Sequence, residues 1–117
     1  MRAKMRAGHP NPSDLFDLKH DRGGIVDVEF SVQYLVLAHA HAHPELADNV
    51  GNIALLKRAA ELQVIADTIA LPAADAYREL RREQHRIKLA GAELARVPAE
   101  SLGPHPAAVR ALWHAIF

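Results

Sequence analysis

Residues 16–33 read FDLKHDRGGIVDVEFSVQ, and this stretch determines how the rest of the chain is interpreted. It places charged residues just before the Gly23-Gly24 pair and then sets Asp27 and Glu29 inside an apolar run. Carboxylates among apolar side chains are costly unless each finds a partner. A segment selected only for burial has no use for them, so we infer that requirements beyond packing shaped it.

The run from residue 25 to residue 42 fits two patterns. Apolar residues alternate with polar ones between positions 27 and 34, which is the period-two pattern of a half-buried strand. Ile25, Val28, Val32 and Leu35 equally share one face of a helix. The run has no glycine or proline and exceeds an ordinary strand of about 3–10 residues. Length therefore favours a helix, and because it is apolar on nearly all sides we expect it to be central and buried.

The composition predicts a small globular helical protein. The chain has 117 residues, 50% of them hydrophobic, with 14 basic and 14 acidic residues. A neutral chain has no electrostatic reason to attract nucleic acid or a membrane surface, so we expect neither as a partner. Cysteine is absent, which excludes disulfides and thiolate metal sites and is compatible with a reducing cytoplasm. No apolar run reaches the ~20 residues of a membrane span, and we recognise no signal peptide.

The remaining pattern predicts an all-α fold, a compact bundle of four to five helices. We interpret residues 1–22 as the end of a preceding helix plus a linker, with a break at residues 8–13, and residues 23–117 as a helical bundle domain. Further helices are expected near residues 53–62 and 64–92, with Pro72 either beginning the main part of the second or kinking it. We also expect a short extended piece within residues 15–19, a loop over residues 97–106 and a last helix from Pro106.

The candidate site is a cluster within residues 19–29. Its members are Lys19, Arg22, Gly23, Gly24, Asp27 and Glu29. Glycines before a helix N-terminus leave backbone N–H groups for an anion, and the two cations would add charge there. The alternative is structural, with the glycines in a tight turn and Asp27 complementing the helix dipole. The two acids lie about 200° apart around a helix, so we expect one to pair with Lys19 or Arg22 and the other to face a domain joint.

Two other polar groups have simpler explanations. His39 and His43 share a helix face, as metal ligands can, but no third ligand is suitably placed, and histidines near a helix C-terminus favour its dipole. We therefore assign no metal site. The basic residues of the long helix could dock an acidic partner, but interleaved Glu79 and Glu83 favour a solvated face of mixed charge. These basic residues are Arg78, Arg81, Arg82, Arg86 and Lys88.

Residues 19–33 resemble the signature K-x-x-x-G-G-I-x-D-I-E-F-x-x-Q of the bacterial glutamine synthetase adenylyltransferase (adenylyl-removing) family. The matching residues are Lys19, Gly23, Gly24, Ile25, Asp27, Glu29, Phe30 and Gln33, while Val28 stands where the signature has Ile. The resemblance continues through QYLVLAHA, DNVGNIALL, AYRELRREQH and the terminal ALWHAIF, so it covers nearly the whole chain. It also implies a helix after Gly24.

The resemblance implies the helical domain of the C-terminal half of a multidomain cytoplasmic enzyme. That half transfers AMP from ATP, with Mg²⁺, to a tyrosine of glutamine synthetase in nitrogen regulation. The chain lacks the Gly-Ser and Asp-x-Asp elements of the family's nucleotidyltransferase domain, so we expect no catalytic residue and no bound ATP or Mg²⁺ in it. The cluster would support that upstream domain, and the expected partners are glutamine synthetase and a PII signalling protein.

Two alternatives stay open. The chain could be a docking module for glutamine synthetase or a PII protein, with no role in chemistry. It could also be the matching domain of a PII uridylyltransferase, although the full match to the signature argues against that.

Overall fold

A computed structural model describes residues 15–48, 50–91 and 96–117. Within these ranges the chain forms α-helices and one pair of two-residue strands. The elements are β1 (Phe16–Asp17), α1 (Ile25–His39), α2 (Asn52–Glu61), α3 (Asp67–Leu89), β2 (Arg96–Val97) and α4 (His105–Ile116), with short 3₁₀ helices at Pro44–Ala47 and, within the predicted loop, at Ala99–Leu102. The predicted bundle of four to five helices is confirmed, and one short strand pair accompanies it. Each of these helices is too short or too polar to cross a membrane.

Helix α1 is the element whose sequence fits both a strand and a helix. It begins at Ile25 and ends at His39, rather than at residue 42. Val28 and Val32 are buried on one side, as the helical spacing predicts. Ser31 is also buried, and its hydroxyl donates to the Asp27 carbonyl at 2.7 Å. The buried side of α1 therefore accommodates a polar side chain without leaving it unsatisfied.

A tight turn joins α2 to α3. Gln63 has a φ of 58°, and the N–H of Val64 donates to the Ala59 carbonyl at 3.0 Å, which caps the end of α2. Beyond the turn, α3 buries a row of alanines whose small side chains let neighbouring helices approach closely. These alanines are Ala70, Ala73, Ala74 and Ala76.

Pro72 lies inside α3, which already begins at Asp67. Of the two alternatives predicted for Pro72, a start of the main part of this helix is therefore excluded. Because proline has no N–H, the carbonyl of Thr68 loses its usual partner four residues on. The helix continues to Leu89 despite this loss, since its buried side is packed along its length.

Helices α1 and α4 lie side by side and run in the same direction. A Cβ added at Gly23 would lie 2.6 Å from the Pro106 carbonyl oxygen, so the N-terminal ends are together. At the other ends, the ring centroids of Tyr34 and Phe117 are 5.0 Å apart. Helix α4 begins at His105, one residue before the predicted start.

The two strands close the bundle beside the start of α1. Phe16 pairs with Val97 and Asp17 with Arg96 in antiparallel register, which confirms the extended piece predicted within residues 15–19. Phe16, Leu18 and Val97 are part of the hydrophobic core. Packing therefore extends to the N-terminal side of residue 23, where we predicted that the bundle domain begins. The predicted helix end and break in residues 1–13 lie outside the described residues.

Candidate functional site

The loop from residue 17 to residue 24 is organised by carboxylates that face inward. Asp17 is 7% exposed, and its Oδ1 accepts the N–H groups of Lys19 at 2.9 Å and His20 at 3.0 Å. The Asp17 N–H in turn donates to Asp21 Oδ2 at 2.9 Å. The guanidinium of Arg96, on β2, lies 3.7 Å from Asp17 Oδ2. The loop is thus held by charge-assisted hydrogen bonds to its own backbone.

The backbone donors at the start of α1 are already engaged. Four consecutive N–H groups donate within the loop or to the first turn of the helix. Gly23 donates to Asp27 Oδ2 at 2.9 Å, Gly24 to the Asp21 carbonyl at 2.9 Å, Ile25 to the Leu18 carbonyl at 2.8 Å and Val26 to the Lys19 carbonyl at 3.0 Å. An anion at this helix terminus would have to displace these bonds, so the geometry favours the structural interpretation of the two glycines.

Both glycines are required by close approach. Gly23 has a φ of 86°, and a Cβ there would lie 2.6 Å from the Pro106 carbonyl oxygen. A Cβ on Gly24 would lie 2.7 Å from the Leu18 carbonyl oxygen and 2.8 Å from that of Asp21. The Gly-Gly pair therefore lets the loop fold back on α1 and lets α4 pack against the same turn.

The two cations of the predicted cluster lie on the outside of this loop. Lys19 and Arg22 are both exposed. Neither side chain has a hydrogen bond or ion pair to another residue within the described part of the chain. The loop thus turns its acids inward and its cations outward, which leaves a basic edge at the start of α1.

Asp27 and Glu29 have different partners. Asp27 is 4% exposed and accepts the Gly23 N–H, whereas Glu29 is half-buried and accepts the hydroxyl of Tyr77, on α3, at 3.2 Å. The amide of Asn52, at the start of α2, donates to the same Tyr77 oxygen at 3.1 Å. Within the described residues, neither acid pairs with Lys19 or Arg22, the cations that we predicted for one of them.

The Glu29–Tyr77–Asn52 chain of hydrogen bonds ties three helices together. Burial is the largest influence on the Tyr77 hydroxyl, and its pKa lies above the ordinary value; the Asn52 amide opposes this shift and Glu29 adds to it. The sequence alone does not connect Tyr77 or Asn52 with Glu29. The partners are 48 and 25 positions apart along the chain, so no local pattern could reveal them.

The two histidines considered as metal ligands, His39 and His43, lie at and just after the C-terminal end of α1. His39 is the last residue of the helix, and the His43 N–H donates to its carbonyl at 2.8 Å. In residues 15–48, 50–91 and 96–117, no three His, Asp or Glu side chains are grouped so as to hold a metal ion.

The basic residues of α3 alternate with acids in ion pairs. Successive i,i+3 pairs join Arg78 to Asp75 at 3.3 Å, Arg82 to Glu79 at 3.4 Å, and Arg86 to Glu83. The Arg86 guanidinium holds the pKa of Glu83 below its ordinary value. Because all three pairs are at the surface, this face has the mixed charge expected of a solvated helix.

A family model described as GlnD PII-uridylyltransferase matches residues 1–98. Since this match covers most of the 117 residues, the chain belongs to that family. The matched region includes β1, α1, α2, α3 and β2, so the loop and the Gly-Gly turn lie within it.

The similar curated proteins carry a more particular name. A bifunctional glutamine synthetase adenylyltransferase/adenylyl-removing enzyme of Bordetella bronchiseptica is 56% identical over 99% of the chain. Proteins of the same name from Ralstonia nicotianae and Nitrosomonas europaea are 54% and 50% identical over the whole chain. The resemblance identified from residues 19–33 is therefore confirmed. The chain spans only 12–14% of the length of these relatives.

Proposed function

We propose that this chain is the C-terminal helical domain of a bifunctional glutamine synthetase adenylyltransferase. The parent protein would transfer AMP from ATP, with Mg²⁺, to a tyrosine hydroxyl of glutamine synthetase as part of nitrogen regulation. The observation that carries this proposal is 56% identity over 99% of the chain to a protein of that name, of which the chain covers 12%. Cytoplasmic location and a PII signalling protein as regulator belong to the same proposal.

The domain would support catalysis without supplying a catalytic group. Transfer of a nucleotidyl group needs metal and cationic groups around the reacting phosphate. The carboxylates of Asp17 and Asp27 are instead directed to backbone N–H groups, and the donors at the start of α1 are occupied. ATP and Mg²⁺ would therefore be held by a nucleotidyltransferase domain elsewhere in the parent protein.

The basic edge formed by Lys19 and Arg22 is the part of the cluster best placed to reach that domain. Both side chains are exposed, while Gly23, Gly24 and Asp27 are buried and hold the loop in shape. In this arrangement the buried residues position the two cations, and the cations meet either the joint with the catalytic domain or the nucleotide phosphates. Glu29, tied to Tyr77, keeps α1 in register with α2 and α3.

The proposal is tested by transfer of radiolabelled AMP to glutamine synthetase. The full-length parent should label glutamine synthetase. The Lys19→Ala/Arg22→Ala double variant should do so about tenfold more slowly, as expected on losing charge-assisted contacts. Lys88→Ala, which removes an exposed cation from α3, is the matched control and should have the rate of the unchanged protein. A parent that transfers UMP to a PII protein and no AMP would overturn the proposal in favour of the uridylyltransferase.

A docking module is the second candidate, and the exposed position of Lys19 and Arg22 favours it. Cations on a loop surface suit an acidic protein partner as well as a phosphate. The same double variant separates the two functions. An increase in the KM for glutamine synthetase with the KM for ATP unchanged would indicate docking, whereas the reverse would place the cations near the nucleotide.

A further inference from the structure

An apolar patch lies on the opposite side of α1 from the core. It consists of Tyr34 and Leu37 on α1 together with Trp113 and Phe117 at the end of α4. Tyr34, Leu37 and Phe117 are 46%, 77% and 57% exposed. The rings of Tyr34, Trp113 and Phe117 form a continuous surface, since the centroid of Phe117 lies 5.0 Å from that of Tyr34 and 4.3 Å from that of Trp113. Leu37 neighbours Tyr34 on α1 at the i,i+3 spacing. Single exposed apolar residues are ordinary, but a contiguous group of this kind marks an interaction surface.

The segments that form the apolar patch carry no formal charge. Residues 30–44 contain no Asp, Glu, Lys or Arg, and neither do residues 111–117. A helix face directed at water ordinarily carries charges, as the outer face of α3 does. Depletion of charged residues together with exposed aromatic rings is the composition of the centre of a protein interface.

A crevice lies beside the apolar patch and is lined in part by Tyr34. It has a volume of about 300 Å³ and lies between the C-terminal halves of α1 and α4 and the turn that joins α2 to α3. Ala38, Val64, Ile65 and Ile116 contribute to its walls, with His39 as its polar edge. Because the crevice also exposes polar atoms, a partner side chain with an apolar stem and a polar end suits it, while the rest of the partner covers the rings.

We propose that the apolar patch binds another domain of the same polypeptide, one that presents an uncharged and largely apolar surface. The inference rests on the proposed function in one respect, namely that the chain is part of a longer protein. The relative from Bordetella bronchiseptica has most of its length outside the matched region, because the chain covers only 12% of it. A domain that stays bound within the same chain keeps an uncharged face covered, whereas a partner that dissociates would expose this face to water. The uncharged face therefore favours a domain of the same chain.

Cysteine labelling tests this proposal with a closely matched control. The sequence contains no cysteine, and Leu37 and Leu89 are 77% and 76% exposed. Leu37→Cys and Leu89→Cys should react with a maleimide at similar rates in the 117-residue chain. In the full-length protein, Leu37→Cys should react about tenfold or more slowly, because labelling requires the interface to open, while Leu89→Cys should be unaffected. Mass spectrometry of the peptide that contains each site measures the rate.

Three results would overturn the proposal. Equal labelling of Leu37→Cys in the full-length protein and in the chain would mean that nothing covers the patch. Labelling of Leu37→Cys in the 117-residue chain that slows as the chain concentration rises would show that a second copy of the chain covers the patch. Protection of the full-length protein only after glutamine synthetase or a PII protein is added would assign it to a separate partner.

A second pair of variants tests the same proposal through the melting temperature. Leu37→Glu should lower the melting temperature of the full-length protein and leave that of the chain unchanged, whereas Leu89→Glu should change neither. Labelling and melting do not depend on AMP transfer. Protection of Leu37→Cys in a protein that transfers no AMP would therefore support the interface and reject the proposed activity, and AMP transfer with an unprotected Leu37→Cys would do the opposite.

Discussion

Helices α1 and α3 both bury one side in the core, but only α3 carries charge on its other side. Three ion pairs follow one another along α3 between Asp75 and Arg86, whereas the outward positions Tyr34 and Leu37 of α1 are uncharged. Exposure alone does not separate the helices, since Leu37 and Leu89 are 77% and 76% exposed. The charge that surrounds an exposed apolar side chain therefore distinguishes a helix that faces water from one that faces protein.

Alanine substitution of Gly23, before α1, and of Gly91, after α3, should give the largest difference in stability between the two helices. Gly23 and Gly91 have φ values of 86° and 90°, so alanine at either position costs about 1–2 kcal/mol. At Gly23 the added Cβ also meets the Pro106 carbonyl oxygen, while no atom of the described residues lies within 4 Å of a Cβ at Gly91. In urea denaturation, Gly23→Ala should lose about 3 kcal/mol or more and Gly91→Ala about 1 kcal/mol. Equal losses would show that α4 does not pack against this turn.

Asp27, in the first turn of α1, should contribute more to the free energy of unfolding than Asp75, on the exposed face of α3. Asp27 is 4% exposed and satisfies the Gly23 N–H, so Asp27→Ala should lower the free energy of unfolding by about 1–3 kcal/mol. Asp75 is in a surface ion pair with Arg78, so Asp75→Ala should cost less than about 1 kcal/mol. Denaturation of both variants under the same conditions measures the difference. A small loss for Asp27→Ala would mean that the loop does not depend on this bond.

The contact between α1 and α3 through Tyr77 should be sensitive to alkaline pH. Tyr77→Phe removes the hydrogen bond to Glu29 and should cost about 1 kcal/mol near neutral pH. Because the pKa of Tyr77 is raised in the folded protein, the stabilisation is complete below the ordinary tyrosine pKa and is lost as the pH rises through the raised value. Thermal unfolding at increasing pH should therefore show a shrinking difference between the two proteins. A constant difference would place Tyr77 in water.

The ion pairs of α3 should give the smallest effect, with the opposite dependence on pH. The pKa of Glu83 is lowered by Arg86, so its contribution is present above the ordinary glutamate pKa and is lost as the pH falls through the lowered value. Glu83→Gln should reduce the melting temperature slightly at neutral pH, and the difference should vanish in acid or in high salt. A difference that survives both treatments would mean that this face of α3 is covered rather than solvated.

The sequence predicts the helices well because their patterns are local. The length of the run after Gly24 distinguished a helix from a strand, and the buried stripe of α3 follows from its spacing. The partners of the cluster are not local, which is why they were not predicted. The contacts of Gly23 with Pro106, and of Glu29 with Tyr77, join residues far apart in sequence. An anion site was one expectation for Gly23-Gly24 because the sequence does not reveal that the Asp27 carboxylate and carbonyls of the preceding loop already occupy the donors.

Isothermal titration calorimetry with ATP and Mg²⁺ tests most directly whether the domain supports a nucleotide site without forming one. The titration would compare the 117-residue chain with the full-length parent protein under the same conditions. We predict binding at one site per transferase domain in the parent and no heat of binding with the chain, whose donors at the start of α1 are engaged. Stoichiometric binding of ATP and Mg²⁺ by the chain alone would contradict this assignment and would place a nucleotide site within the helical domain itself.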